Sequence, residues 1–529
     1  MGEQEAPSKR CTVYEQLACA RRRTTRLKLE QCGSDSRLVS CAKKMIARLD
    51  APSQELFLMA LLRVDKSLPV SSACSGCELQ AFCGDALFSL AEGIDLRYDL
   101  VFSCEKDQKK ADFISSIVHE ARGQHSCIFV DYGDLAQSRS KCWIHCQDES
   151  TPNATCPIVP DDRPLPTIHI AGFSCKDLSK VKSAPQDLLN RALLDNGTTA
   201  TTLDNLLAHL ASWKPACYLG ENAEELAVRA HASYHMFQEM LLKRNYVGDV
   251  FLLNASDFGS AARRPRGWIV AFHMDKCGIN AEEGRVILSN IHAFVQKMKT
   301  GSTDFHDRML DNTHPLVLQE LARRQCSRKE ETSGWESRFV AHLRKTGTSM
   351  SDCYPPALVR ASPWYSTIPD RGQQTMGYLI KMIPDWSVVD SSQDIRRPYH
   401  SSGSTMYALT TVVNPWVRRA NRPMIGVECL LLQGFPEEVL MKRLDMAVTD
   451  NDSTANDPAH VPYTHDLVLK DLAGNAFSAE VVLAVLAGLL TYAPPAVFQK
   501  IVKEVQPQDE EAPVANSADD VSAILNCIC

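Results

Sequence analysis

A cysteine flanked by a serine and a lysine follows an apolar run where PTIHIA leads into GFSCKDLS, Gly172 to Ser179. A buried structural cysteine would sit inside such a run. Cys175 comes after it, between Ser174 and Lys176, where a thiol is reachable and a neighbouring cation favours the thiolate. The thiolate is the nucleophilic form, so this placement points to covalent chemistry. The plainer reading is an inert loop cysteine, the commoner outcome for any short motif. Two other polar groups close apolar runs in the same way. Glu105 ends YDLVFSCE, and Glu221 with Asn222 ends PACYLGEN.

These groups meet only if the runs are strands of one sheet. The runs 98–105, 126–131, 166–172, 215–221, 249–254 and 267–272 have strand length, and helical patterns such as TTLDNLLAHLASW fill several gaps. Strands alternating with helices predict a parallel sheet covered on both faces, with ligands at the carboxyl ends of the strands. GFSC, Glu105 and GEN then share one rim. Residues 273–420 are polar and weakly periodic and read as an inserted irregular module. A Gly-Asn turn and an apolar helix return the chain to the sheet domain.

At 529 residues, 44% apolar and 23% charged, the chain has the composition of a globular protein with one large domain and smaller pieces. Its longest apolar stretch, VVLAVLAGLLTYA, is too short for a membrane span, and MGEQEAPSKR lacks the apolar core of a secretory signal. Twenty cysteines without regular spacing read as reduced thiols rather than a disulfide scaffold. CSGC (Cys74, Cys77) and CWIHC (Cys142, His145, Cys146) have ligand-like spacing but no visible second half, so no metal site is assigned. The net charge of −7 hides local contrasts. Residues 1–50 hold 11 Lys/Arg against 6 Asp/Glu, residues 255–345 hold 15 against 11, and residues 503–529 hold one against six. The first two segments are expected to face phosphates; the plain alternative is a solvated surface. The acidic tail reads as disordered by composition.

The order of landmarks over roughly residues 79–492 resembles the DNA cytosine-5 methyltransferase family. AFCGDALFSL is similar to the family's first cofactor motif, bringing Phe82 and Gly84 to the cofactor. LVFSCEKD matches the acidic end of the second strand at Glu105, and DYGDL matches the Gly-Asp pair that reads adenine, here Gly133 and Asp134. GFSCKDLS resembles the Gly-x-Pro-Cys-Gln loop, and GENAEEL the Glu-Asn-Val motif. NASDFGSAARRPRGWIVAF is similar to the motif ending Gln-x-Arg-x-Arg. ECLLLQGFP and GNAF resemble the last two motifs, with Glu428, Gln433, Gly434, Gly474 and Asn475 matching.

The resemblance implies an α/β fold, a Rossmann-like S-adenosylmethionine-dependent methyltransferase sheet domain with a smaller irregular target-recognition domain. The expected organisation is a basic N-terminal extension (1–76), a catalytic domain (77–272), a target-recognition-like module (273–420), returning C-terminal motifs (421–495) and an acidic tail (496–529). It further implies that Cys175 is the nucleophile adding to C6 of cytosine, that Glu221 is the acid on the N3 side, and that Arg266 is an electrostatic helper at the base, with Arg264 also at a catalytic position. Ser174, Lys176 and Asn222 are expected at the substrate, and Phe82, Gly84, Glu105, Asp134 and Asn475 at S-adenosylmethionine. The implied partner is DNA, with RNA as the alternative; no membrane is implied, and protein partners are left open. The nucleus is the expected location, with the cytoplasm as alternative.

This sequence departs from the family at several points. Ser174 replaces proline, which leaves the loop looser, Lys176 replaces glutamine, and Ala223 replaces valine. Ala262 replaces glutamine, and Asp85, Ala86 and Leu87 replace a Gly-rich continuation whose openness admits the cofactor. Two other readings therefore accompany the leading one. The first is a tRNA methyltransferase of the same architecture, although its Cys-Phe-Thr signature is missing from residues 273–420. The second is a nucleic-acid-binding homologue without turnover. The basic run RRRTTRLK reads as a nuclear signal or a solvated helix, and the terminal NCIC as accidental.

Overall fold

A computed structural model describes residues 36–74, 76–91, 95–146, 154–178, 193, 197–228, 232–326, 336–393, 395, 399–450 and 465–498. RRRTTRLK, most of the acidic tail segment and NCIC lie outside them. The early strands are β1 (Ser67–Ala73), β2 (Arg97–Cys104), β3 (Cys127–Phe129), β4 (Arg139–Ser140), β5 (Cys156–Pro157), β6 (Ile168–Ala171), β7 (Cys217–Ala223), β8 (Tyr246–Asn254) and β9 (Pro265–His273). β4 and β5 pair with each other, and the remaining seven form one sheet in the order β3-β2-β1-β6-β7-β9-β8.

All six apolar runs read from the sequence contribute strands. Their near-continuous apolar character reflects burial on both faces. The sheet is mixed rather than purely parallel. β1, β2, β3, β6 and β7 run together, whereas β9 lies antiparallel between β7 and β8. The link 255–264 is too short for the crossover a parallel neighbour needs. This reversal matters for the site, because it brings the start of β9 to the carboxyl end of β7. The register sets Ala223 opposite Arg266 and Glu221 opposite Trp268.

The first strand was misplaced by the sequence. AFCGDALF is not a strand and turn; it lies in the helix Leu79–Phe88. The first strand is SLPVSSA, earlier than the expected start of the catalytic domain at residue 77. Its serines disguise it, and they are buried only because partners meet them. Ser71 Oγ lies 2.9 Å from His169 Nδ1, and Ser72 Oγ accepts from Gln80 Nε2 at 2.9 Å. The helices Arg37–Ile46 and Ala51–Leu61 also belong to this body. They pack on the helix Ala479–Tyr492, which is apolar around its circumference and buried along nearly its whole length. The segment Asp466–Tyr492 is long and apolar enough to cross a membrane, but 89% of its most apolar 18-residue stretch is buried inside the protein. Arg37 ties this packing together through an ion pair with Glu480 at 3.0 Å.

Residues 273–420 are more ordered than their composition indicates. The helix Ala281–Lys297 packs on β8 and so belongs to the sheet domain. The smaller unit contains the helices Pro315–Cys326, Glu336–Thr346 and Asp370–Met382. It also carries β10 (Val388–Asp390), β11 (His400–Ser401), β12 (Pro415–Val417) and β13 (Arg422–Pro423), in the order β11-β10-β12-β13.

A fully buried ion pair joins this unit to the sheet domain. Arg422 reaches Glu428 through two bonds of 2.9 and 2.7 Å. Its remaining donors meet Asn312, Leu310 and Pro423, while Glu428 also accepts from the backbone of Leu310 and Ile425. Glu428, matched to a family motif, is therefore structural here. Removing one partner strands a buried charge, so Arg422→Met should destabilise the protein by about 3–5 kcal/mol in urea unfolding. Arg422→Met combined with Glu428→Leu should recover much of that loss. A single-variant loss within about 1 kcal/mol would mean the pair behaves like a surface bridge.

Candidate active site

The described first part of the loop after β6, residues 172–178, is anchored at several points. At its start, a Cβ on Gly172 would lie 3.3 Å from Glu221 O and 3.5 Å from Cys74 O, so three strand ends converge there. Further along, the Ser174 N–H donates to Thr202 Oγ1 at 2.9 Å and the Asp177 N–H to Thr199 Oγ1 at 3.0 Å. Asp177 Oδ2 accepts in return from the Thr199 N–H at 2.9 Å, capping the helix Thr198–Trp213. The expected looseness without proline is thus corrected. Proline has no N–H, whereas Ser174 uses its own to fasten the loop to that helix.

Glu221 sits near the end of β7 with its side chain 12% exposed. Arg266 Nε lies 2.9 Å from Glu221 Oε1, an ion pair outside hydrogen-bond angles, which leaves that oxygen without a hydrogen bond. Asn222 is buried and spent on structure, not on substrate. Its Nδ2 donates to Phe173 O at 2.9 Å, and its Oδ1 accepts from the Ala223 N–H at 2.8 Å. It therefore couples the carboxylate strand to the cysteine loop. Arg264 is likewise a positioning residue. It donates to the carbonyls of Gly474 at 3.0 Å, Ala476 at 2.9 Å and Leu409 at 3.3 Å, and its guanidinium stays 3.9 Å from Glu221. Burial and the neighbouring Arg266 pull its pKa down to about 10, which leaves it charged at neutral pH. Ala262, where the family has glutamine, is fully buried in a bridge to Met406.

Burial raises the Cys175 thiol above its ordinary pKa, Glu221 adds to the rise, and Arg266 and Arg264 oppose it. Lys176 was expected to lower the thiol's pKa; it is exposed, and the acting cations are these two arginines. The sequence resemblance assigned them to the site, but their action on the thiol comes from the fold.

The cofactor end differs from expectation at its first motif. Phe82 and Gly84 lie on the buried face of the helix Leu79–Phe88. Phe82 meets the Phe435 ring edge-on at 5.4 Å, and a Cβ on Gly84 would strike the Tyr98 ring at 2.1 Å. The glycine turn after β1 is Gly76, in the CSGC run read for its cysteine spacing. Gly76 has φ +77°, and a Cβ there would lie 2.9 Å from Asn475 O. This is a close backbone approach that glycine alone permits comfortably. Of the expected acidic residues, Glu105 lies just past β2 and Asp134 in the short turn Gly133–Ala136 after β3. Asn475 Nδ2 is bonded to Asp471 at 2.9 Å, and Asp471 pairs with Lys110 at 2.8 Å. Burial raises the Glu105 carboxyl, while Lys110 lowers it. Glu105 Oε1 accepts from the Asp107 N–H at 2.9 Å, and Asp134 Oδ2 from Ser140 Oγ at 3.2 Å. A cleft of 680 Å³ opens between Thr367–Gly372, Ser391–Ser392 and Asp466–Asp471; Cys175 does not line it.

A Rossmann-type sheet that brings a cysteine loop, a carboxylate and two arginines to its rim defines a base-modifying methyltransferase architecture. The chain matches the sequence model of the C-5 cytosine-specific DNA methylase family over residues 159–450, more than half its length, and it belongs to that family. Among solved structures it is similar to a protein described as a DNA modification methyltransferase encoded within an E. coli prophage, with 14% identity, 80% of this chain and 99% of that one covered, and a TM-score of 0.40. It is also similar to the Entamoeba histolytica methyltransferase EhMeth (11%, 80% and 98%, 0.38) and to the S. pombe Dnmt2 methyltransferase (12%, 80% and 98%, 0.38). No curated protein matches it in sequence.

The raised thiol has a direct consequence for reactivity. Only the thiolate alkylates, so iodoacetamide labelling of Cys175 should climb about tenfold per pH unit and continue through pH 9 without levelling. Arg266→Ala removes a lowering influence and should slow labelling at every pH in that range. Peptide mass spectrometry measures both rates; a plateau below about pH 8 would contradict the buried, arginine-opposed thiol.

Proposed function

We propose that the protein transfers a methyl group from S-adenosylmethionine to C5 of cytosine in DNA, with a nuclear setting as part of the same proposal. The observation that carries this reading is the convergence of the Cys175 loop and the Glu221–Arg266 pair on neighbouring strand ends. The target base leaves its helix to reach them, as enzymes acting on a ring carbon require. The Cys175 thiolate adds to C6 while the Glu221 carboxyl group, as the acid, gives its proton to N3, where the displaced electron pair arrives. That proton returns to Glu221 when C5 takes the methyl group. Arg266 holds the Glu221 carboxyl group in place and favours the thiolate. C5 becomes nucleophilic through that addition, a covalent route around a step the neutral ring performs poorly. Loss of the C5 proton then returns the electron pair to the ring and expels the thiolate.

The glycine turn at Gly76, the backbone at Asn475 and the carboxyl groups of Glu105 and Asp134 suit an adenosine-bearing cofactor at the carboxyl ends of β1, β2 and β3. S-adenosylmethionine bound there supplies an electrophilic methyl group. Glu105 accepts hydrogen bonds from ribose hydroxyls, and the Gly76 turn lets the backbone approach. DNA is favoured over RNA by the missing Cys-Phe-Thr run in residues 273–420, while the local excess of Lys and Arg over residues 255–345 suits the phosphates of either.

Fluorine at C5 blocks the final elimination, so an active enzyme stays attached to the ring. A mixed pool of 5-fluorocytosine DNA duplexes should give a cofactor-dependent adduct on a denaturing gel that disappears in Cys175→Ala. An adduct with RNA only would transfer the activity to RNA. Retention of both cofactor and nucleic acid without any adduct would leave a binding protein.

For the cofactor, calorimetry should find S-adenosylmethionine affinity reduced at least tenfold in Gly76→Ala or Glu105→Ala, on the order of 1.4 kcal/mol or more. Phe82→Leu should leave it near that of the parent chain. The reverse pattern would return the first motif to Phe82 and Gly84.

A further inference from the structure

The CWIHC run finds its missing half in the fold. Cys127 opens β3, Cys142 bridges to Phe129, His145 follows in the turn, and Cys156 lies on β5. Their four ligand atoms lie within 4.8 Å of one another. The three sulfurs surround one ring nitrogen: His145 Nδ1 is 3.4 Å from Cys127 Sγ, 3.7 Å from Cys142 Sγ and 3.7 Å from Cys156 Sγ. A tetrahedral zinc ion with its usual bonds to sulfur and nitrogen would hold those atoms about 3.6 Å apart. We infer that Cys127, Cys142, His145 and Cys156 form a structural zinc site.

Hydrogen bonding alone does not account for this cluster, since one imidazole Nδ1 accepts from one thiol, not three. A disulfide does not account for it either, because all four sulfurs in the region, Cys146 included, are free thiols. Three thiolates and an imidazole favour a soft, tetrahedral ion, and with four protein ligands the site is closed. Binding would release the three thiol protons to solvent. The surroundings suit a thiolate: the Ile144 N–H donates to Cys142 Sγ at 3.2 Å. Cys146 Sγ lies 3.8 Å from Cys156 Sγ, beside the four ligands rather than among them. All four ligands precede residue 159, where the family match begins.

The site closes the excursion between β3 and β5 onto the sheet edge. Asp134 lies on that excursion. So does Trp143, whose Nε1 donates to Glu105 O at 2.8 Å and whose N–H donates to Ile128 O at 2.9 Å. On the cofactor assignment proposed above, and only through it, the metal fixes the outer wall of the pocket.

The test uses the full chain and reads metal directly. Elemental analysis of the purified protein should find about one zinc per chain. Cobalt(II) exchanged into the protein should give the visible bands of a tetrahedral, sulfur-rich site. Cys127→Ser, Cys142→Ser and Cys156→Ser should each lose the metal, whereas Cys146→Ser and Cys74→Ser should keep it.

If the ligand variants fail to fold, the parent chain still decides the matter. Cys127, Cys142 and Cys156 should resist alkylation until a chelator is added, and in a separate sample without chelator a mercurial should release the zinc. Less than about a tenth of an equivalent after incubation with zinc would overturn the inference. Iron with a sulfide chromophore, a Cys146–Cys156 disulfide, or zinc retained by the triple Cys127, Cys142 and Cys156 variant would overturn it as well. Zinc bound by a chain that takes up no S-adenosylmethionine would sink the functional proposal and leave the site standing.

Discussion

A buried guanidinium must find acceptors wherever the chain places it, and in this protein that demand organises the site. Arg264 is almost wholly enclosed, and burying its charge would be strongly unfavourable without compensation. Its partners come from distant parts of the chain: Leu409 in the smaller unit, Gly474 in the last turn of the helix Asp466–Asn475, where the sequence suggested a Gly-Asn turn, and Ala476 just beyond it. Its two terminal nitrogens tie the C-terminal segment to β9 and bring the smaller unit to the same edge, while its Nε has no hydrogen-bond partner. The Gly76 turn then meets Asn475, so the proposed cofactor end and the proposed catalytic end share one support.

The same logic separates groups that touch a substrate from groups that hold them. Cys175 and Glu221 retain chemical capacity, the first as a partly exposed thiol and the second with an oxygen free of hydrogen bonds. Asn222 and Ser174 have spent theirs on the loop. The family motif therefore contains two kinds of residue, and only the hydrogen-bond partners distinguish them. Loss of the loop proline is offset locally, because Thr199 and Thr202 receive N–H groups from the segment that proline would have stiffened.

The edge of the sheet follows a further constraint. β3 is only three residues long, and the excursion behind it contributes only scattered core residues such as Tyr132 and Leu135. Short elements at an edge need an added fastening, and a metal cluster supplies one without a larger core. The Arg422–Glu428 pair plays the comparable part for the smaller unit, joining it to the sheet domain by directional bonds.

The sequence by itself determined the strand-forming runs, the helix Thr198–Trp213 and the candidate groups Cys175, Glu221, Arg264 and Arg266, because buried strands and ordered motifs leave local signatures. The first strand escaped it, since SLPVSSA is polar in isolation and becomes core only when His169 and Gln80 bond its serines. AFCGDALF misled for the converse reason: its glycine answers the packing of the Tyr98 ring, not a cofactor. The zinc ligands Cys127 and Cys156 flank CWIHC at irregular spacing, and no local pattern joins them. Pairing of strands distant in sequence, and the partners of buried charges, are long-range facts, and only the tertiary structure decided them.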